Sequence, residues 1–319
     1  MPLFHRRTPE EQAREEALEL RRRQAAEDAE ASLAALAAGG IPVAARRRLD
    51  ALRAGGPGFF TSDLTVDEHA LLRGSGVRPL SQVMGSSVYH VGWQAGRYFG
   101  SGEIETVTHA MNHARELALG RLEEEARLAG ANAVAGVHVT QARYDWGADH
   151  MEFQAIGTAV AVDGAPDAQR PALTNLSGQD FWKLRRAGLW PVGIVGGSSV
   201  CYAASGWGAA WRMASWQNVE LTHFTEGLYE ARNRAMRRLR REALELGGLG
   251  VIGVRIARHE REVEVSEGQT DMVFTFHAIG TAIAEAPRQS PPTQARLALD
   301  LGGRGGGRLR DPNPQEVAE

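Results

Sequence analysis

Two histidines one helical turn apart, His109 and His113, are the residues of this chain whose types and spacing most directly suggest chemistry. At positions i and i+4 of a helix, two imidazoles can meet one borderline metal ion. Ala110, Met111 and Asn112 lie between them, so the glutamate that serves as base in a zinc-protease motif is absent. Two ligands do not close a metal site, and solvent-facing histidines near a helix start are the simpler reading. Cys201 is the sole cysteine, which excludes an intrachain disulfide and a multi-thiolate site; beside an apolar strand it reads as buried. Two Gly-Ser-Ser turns, Gly85-Ser86-Ser87 and Gly197-Ser198-Ser199, offer backbone N–H groups to an anion but lack the Gly-Lys-Thr ending of a phosphate loop. Glycines that permit a bulge or a close strand approach account for them more simply. Arg232, Arg234, Arg237, Arg238, Arg240 and Arg241 crowd one helix, with Glu226, Glu230, Glu242 and Glu245 around them. That mixture reads as a solvated face or as pairs across an interface, not as a nucleic-acid surface. No Ser-His-Asp, Cys-His or paired-carboxylate arrangement suggests an enzyme.

Composition narrows the class. The chain of 319 residues carries a formal net charge of −3, which argues against a dedicated nucleic-acid binder. Lys183 is the only lysine among 36 basic residues, a bias attributable to genome base composition. No basic-then-apolar start reads as a signal peptide, and no stretch approaches the roughly 20 apolar residues of a membrane-spanning helix. A cytoplasmic protein without a transmembrane segment is expected.

The elements that must position these residues are written twice. Leu72-Arg73, Gly76, Pro79 and Gly85-Ser86-Ser87-Val88 return 112 positions later as Leu184-Arg185, Gly188, Pro191 and Gly197-Ser198-Ser199-Val200. Ala114-Arg115 through Gly136-Val137 return 117 positions later as Ala231-Arg232 through Gly253-Val254, and Phe153 to Ala159 return 123 positions later as Phe276 to Ala282. Offsets that grow by five and then six residues are expected to mark loop insertions. Copy one spans 59–165 and copy two 173–286; a helical arm with its Gly-Pro linker precedes them at 1–58, and a tail at 287–319, rich in Gly and Pro, is expected to be disordered.

Each copy carries one amphipathic helix. Val107, Met111, Ala114, Ala118, Leu122, Ala126 and Ala129 form its stripe in copy one, and Leu228, Ala231, Ala235, Leu239, Ala243 and Leu246 in copy two. Gly130 and Gly247 follow as C-terminal caps, then a strand and a hairpin. Strands over 77–89 and 189–202 are expected to break at their Gly-Ser-Ser. One helix on a mostly antiparallel sheet gives two tandem α+β domains. The arm carries nine Arg against nine acidic residues over its first fifty positions, and is expected to be separable from the core and available to a protein partner.

The run from Ala114-Arg115-Glu116-Leu117-Ala118-Leu119 to Glu125-Ala126, then Ala129-Gly130-Ala131-Asn132-Ala133-Val134-Ala135-Gly136-Val137 and a later Gly157-Thr158-Ala159, resembles the YbjQ-like family. These small bacterial and archaeal proteins carry a heavy-metal-binding label. The resemblance covers about two-thirds of the chain. Copy two departs from it at Gly247-Gly248-Leu249-Gly250, where the Ala-Asn-Ala step is missing. The resemblance implies a compact α+β domain that assembles into a ring, typically of five, and metal binding.

The resulting expectation is a non-enzymatic binding or scaffold protein that self-associates, as a homo-pentamer of two stacked rings in which each copy meets its own kind. Trp207 and Trp211, one turn apart in the copy-two insertion, are expected near a subunit contact. The main alternative is a metal-binding or metal-responsive protein that uses His109 and His113 for a divalent ion at a ring interface. A third is a small-molecule enzyme, with no cofactor and no residue that stands out.

Overall fold

The computed structural model describes residues 9–55, 60–90, 101–143, 150–166, 169–205, 220–266 and 269–286. Two helices, α1 (Pro9–Ala37) and α2 (Val43–Ala54), come first. Copy one follows as α3 (Val66–Gly74), β1 (Val77–His90), β2 (Gly102–Glu103), α4 (Glu105–Leu128), β3 (Ala133–Arg143) and β4 (His150–Val162). Copy two is β5 (Ala172–Leu173), α5 (Gly178–Arg186), β6 (Leu189–Ala203), α6 (Thr222–Glu245), β7 (Gly250–Ser266) and β8 (Gln269–Glu285). The expected α+β tandem is what forms.

The repeats agree in register as well as in residues. β1 and β3 flank β4 antiparallel, as β6 and β7 flank β8. The register shifts at Pro79/Ser81 and at Pro191/Gly193, and again at Ala135/His138 and at Ile252/Arg255. The second shift falls on Gly136 and Gly253, whose φ of 68° and 61° is a backbone that a side chain would strain. Gly130 and Gly247 cap their helices at φ 80° and 72°, as expected. The α4 stripe is buried throughout, whereas Leu246 is exposed because α6 ends at Glu245 and the Gly247 turn carries the chain away.

The Gly-Ser-Ser segments do not break their strands; β1 and β6 run through them. What the glycines admit is a helix. A Cβ on Gly85 would lie 2.0 Å from the Ala118 carbonyl oxygen and 2.5 Å from the Leu122 nitrogen; on Gly197 it would lie 2.0 Å from the Ala235 carbonyl oxygen. Helix backbone therefore rests directly on strand backbone at these points, and the small residues Ala118 and Ala235 face them. The six-residue insertion is also not a loop: β7 and β8 are 17 residues each where β3 and β4 are 11 and 13. The five-residue insertion falls among residues outside the described ones.

The copies lie side by side and exchange edge strands. β5, the start of copy two, joins β3 of copy one in parallel, pairing Ala133 with Ala172 and Val134 with Leu173. β2, from copy one, joins β6 of copy two. The cores are shared accordingly. Ile104, Val107, Met111 and Ala114 pack with Val200, Tyr202 and Val273, and Leu72, Val77 and Val160 pack with Phe181 and Trp190.

The arm does not stand apart from this core. Ile41 and Leu49 are 1% and 0% exposed, in the cluster that holds Leu119, Leu122 and Ala126 of α4. The charge balance of the arm concealed two apolar side chains that pack against copy one. Leu49→Ala is expected to lower stability by about 2–5 kcal/mol, read from denaturant midpoints. Gly197→Ala should cost about 1–3 kcal/mol by overpacking. In contrast Gly120→Ala, on the open face of α4 with nothing near a new Cβ, should stabilise by about 0.5–1 kcal/mol.

Candidate functional site

Among the described residues, the densest polar chemistry lies where copy one meets copy two. Glu103, on β2, is almost fully covered and is held from copy two by three groups. Arg238 donates to both of its carboxylate oxygens at 2.7 and 2.9 Å, Arg234 at 3.1 Å, and the Ser199 hydroxyl at 2.6 Å. Burial alone would raise the Glu103 carboxyl, but the bonds from Arg238 and Ser199 and the Arg charges hold it below the usual glutamate range.

The contact continues along the outer edge of β6. Ile104 N donates to the Val200 carbonyl at 2.7 Å, and Val200 N donates to Thr108 Oγ1 at 2.9 Å. Asn112 brackets Ser198, donating from its amide to the Ser198 carbonyl at 3.1 Å and accepting from Ser198 N at 2.9 Å. Arg115 is 2% exposed and donates to both Glu242 oxygens, at 2.6 and 3.1 Å; Glu242 also accepts from Gly196 N. Only glycine fits at 196, since a Cβ there would lie 2.3 Å from Arg115 Nη1. Every charge in the row is paired, so the arrangement binds and orients.

Beside the contact, where Gly102 of β2 pairs with Tyr202, the Tyr202 hydroxyl donates to Asp271, which also accepts from Ser205 N and Oγ at 2.7 Å. Burial and the Asp271 carboxylate push the Tyr202 phenol up to about 12. Burial opposes ionisation of Asp271, yet these three donors hold it below its usual value. Neither group is poised to exchange a proton near neutrality.

Of the expected site residues, the two histidines do not enter this contact. His109 and His113 are exposed on α4 with ring centroids 6.2 Å apart, and Tyr89 stands edge-on to His113 at 6.0 Å. Among the described residues no group of three metal-capable side chains forms around the two imidazoles. Trp207 and Trp211 lie outside the described residues. Cys201 is buried; burial raises its thiol, and Ser199 Oγ lies 3.6 Å away. Among the described residues no helix is long and apolar enough to cross a membrane.

A family profile described as "Putative heavy-metal-binding" (YbjQ_1) matches residues 65–163 and 191–285, more than half of the chain. The chain belongs to the YbjQ family. The encapsulin nanocompartment protein Rv1762c of Mycobacterium tuberculosis is 40% identical over 204 residues, 62% of this chain and 78% of the relative. UPF0145 proteins of Methanoregula boonei and Methanocella arvoryzae are each 40% identical, over 75 and 70 residues. Those stretches are 24% and 22% of this chain, and 61% and 57% of the relatives. No solved structure matches. As a YbjQ protein the chain is a tandem, and the contact between its copies is a property of the pair.

Glu103 is the contact residue that sequence reading missed. The arginines that clamp it were legible as interface candidates, but a lone Glu ahead of a helix carries no signal of its partner. Because its carboxyl stays ionised to lower pH in the folded protein than in the unfolded chain, its stabilisation is full above the ordinary glutamate range and is lost as pH falls through the folded value. Glu103→Gln should remove that part of the acid dependence and cost about 1.5–3 kcal/mol at neutral pH, measured by urea unfolding across a pH series.

Proposed function

We propose that this chain is a non-enzymatic scaffold that self-associates head to tail and takes part in a protein nanocompartment. The observation that carries the reading is the contact between the copies: it joins one side of copy one to a different side of copy two. A heterologous contact of that kind leaves each chain with one unused half at either end, which closed assembly would satisfy. The name of the Mycobacterium tuberculosis relative supports the nanocompartment context. Since copy one meets copy two within every chain, a ring that extends this contact alternates the copies and holds an even number of domains. A pentamer would then be one ring of ten domains, in place of two stacked rings of five.

Native mass spectrometry at micromolar concentration tests the assembly: a mass that stays at one chain under every condition overturns it. For the second half of the reading, the chain is co-expressed with the shell-forming protein of a nanocompartment from the same genome. Retention in the shell-sized fraction is expected, with protease protection if the chain is enclosed and cleavage if it sits outside. Loss from that fraction would end the nanocompartment reading. Protein purified without an affinity tag should hold less than stoichiometric zinc, copper or nickel, and His109→Ala with His113→Ala should leave assembly unchanged. Stoichiometric metal that the double variant loses would favour the metal reading instead.

A further inference from the structure

We propose that the N-terminal arm occupies, on copy one, the docking site for copy two of a second chain. The inference rests on the head-to-tail reading above. It follows from comparing the same positions in the two copies. Arg238 of copy two and Arg121 of copy one are equivalent, and each donates to the carbonyl of the serine after the close-approach glycine, Ser198 and Ser86. Arg238 spends its remaining N–H groups on Glu103, brought by the neighbouring copy. Arg121 spends them on the arm, donating to the Gly40 carbonyl from Nε and to the Leu36 carbonyl from Nη2, both at 3.1 Å. Carbonyls at and just beyond the C-terminal end of α1 carry the negative end of a helix dipole and stand where a carboxylate stands in copy two.

The next position repeats the substitution. Glu242 accepts from Gly196 N and from Arg115 of the neighbouring copy. Its counterpart Glu125 accepts from Met84 N and from Arg48 of α2, at 3.0 and 2.8 Å. Two cationic and anionic contacts made between copies on one side are therefore made by the arm on the other. Met84 stands where Gly196 makes room for Arg115, and the guanidinium that reaches Glu125 is that of Arg48.

The complementary surfaces are present and open. On copy two, the counterparts of Glu103, Ile104 and Arg115 are Glu220, Leu221 and Arg232, and all three are exposed. On copy one, Val88 is 53% exposed where its counterpart Val200 is 2%, and among the described residues no strand joins the outer edge of β1. The other half of the contact is also set. Asp63 N donates to Thr158 Oγ1 at 2.9 Å as Asn175 N donates to Thr281 Oγ1 at 3.0 Å, so the segment 60–64 is held like the one that contains β5. The edge it would join, β7, has no further strand beside it among the described residues, and Val254 and Ile256 are exposed on it. Glu220 would go to Arg121, Arg232 to Glu125 and 60–64 to β7 of adjacent chains, once α1 and α2 have moved.

The test uses the full chain in two arm-released forms. One carries Arg48→Glu with Leu49→Asp; the other has a protease site inserted after Gly55 and is folded intact before it is cut. Hydrogen exchange over 43–54 reports release, and a cooperative melt reports that the core persists. Native mass spectrometry at micromolar concentration should show at least a doubling of mass on release, and Arg232→Glu in the released chain should reverse it. Association that ignores Arg232→Glu would overturn the proposal, since the exposed apolar groove alone would then explain it. If the intact chain already assembles through Arg232 and release changes nothing, the arm inference fails while the head-to-tail reading stands. Failure of both intact and released chains to associate would sink both.

Discussion

Two missing side chains determine how this protein is built. With hydrogen at Gly85 and Gly197, a helix backbone settles onto a strand backbone at a separation no other residue allows. That seating brings the helix low enough for Glu125 to accept from Met84 N and for Glu242 to accept from Gly196 N, so helix side chains complete hydrogen bonds at the sheet's outer edge. It also places Arg121 and Arg238 against the carbonyls of Ser86 and Ser198. The polar row through which the copies meet is built on those residues, and it would lose its register if either helix rode higher.

How much of this could be read from the residues depended on whether the cause was local. The helix stripes, the positive-φ caps at Gly130 and Gly247 and the antiparallel hairpins follow from short-range pattern, and they form as read except at Leu246. The Gly-Ser-Ser segments carried a correct signal of close approach but not of what approaches, because a helix 33 or more residues further on supplies the partner. In copy two, Val254 to Val265 and Met272 to Ala284 read as a hairpin and form one; what the repeat offsets do not reveal is that the inserted residues lengthen its strands in place of a loop.

The candidate site was less legible than the fold. The arginines of α6 read as a solvated face or as pairs across an interface, and the strand that bears Glu103 is two residues long and has no periodicity to find. Balanced charge dominates the composition of the arm and gives no sign of where it lies, whereas Ile41 and Leu49 pack it against copy one. Conversely His109 and His113 formed the clearest spacing motif in the chain and stand exposed on α4, away from the buried polar row. Spacing along one helix identifies ligands only when the fold delivers the remaining ones.

The lengthened hairpin of copy two has a consequence for counting. A protein made of identical domains offers any binding partner one grip per domain. Here β7 and β8 reach beyond the length of β3 and β4, so that overhang occurs once for every two domains. A partner that grips it would register chains and not domains, at twice the spacing that the repeated fold alone would set. Divergence after duplication has halved the valency of the surface while leaving the number of packed cores unchanged.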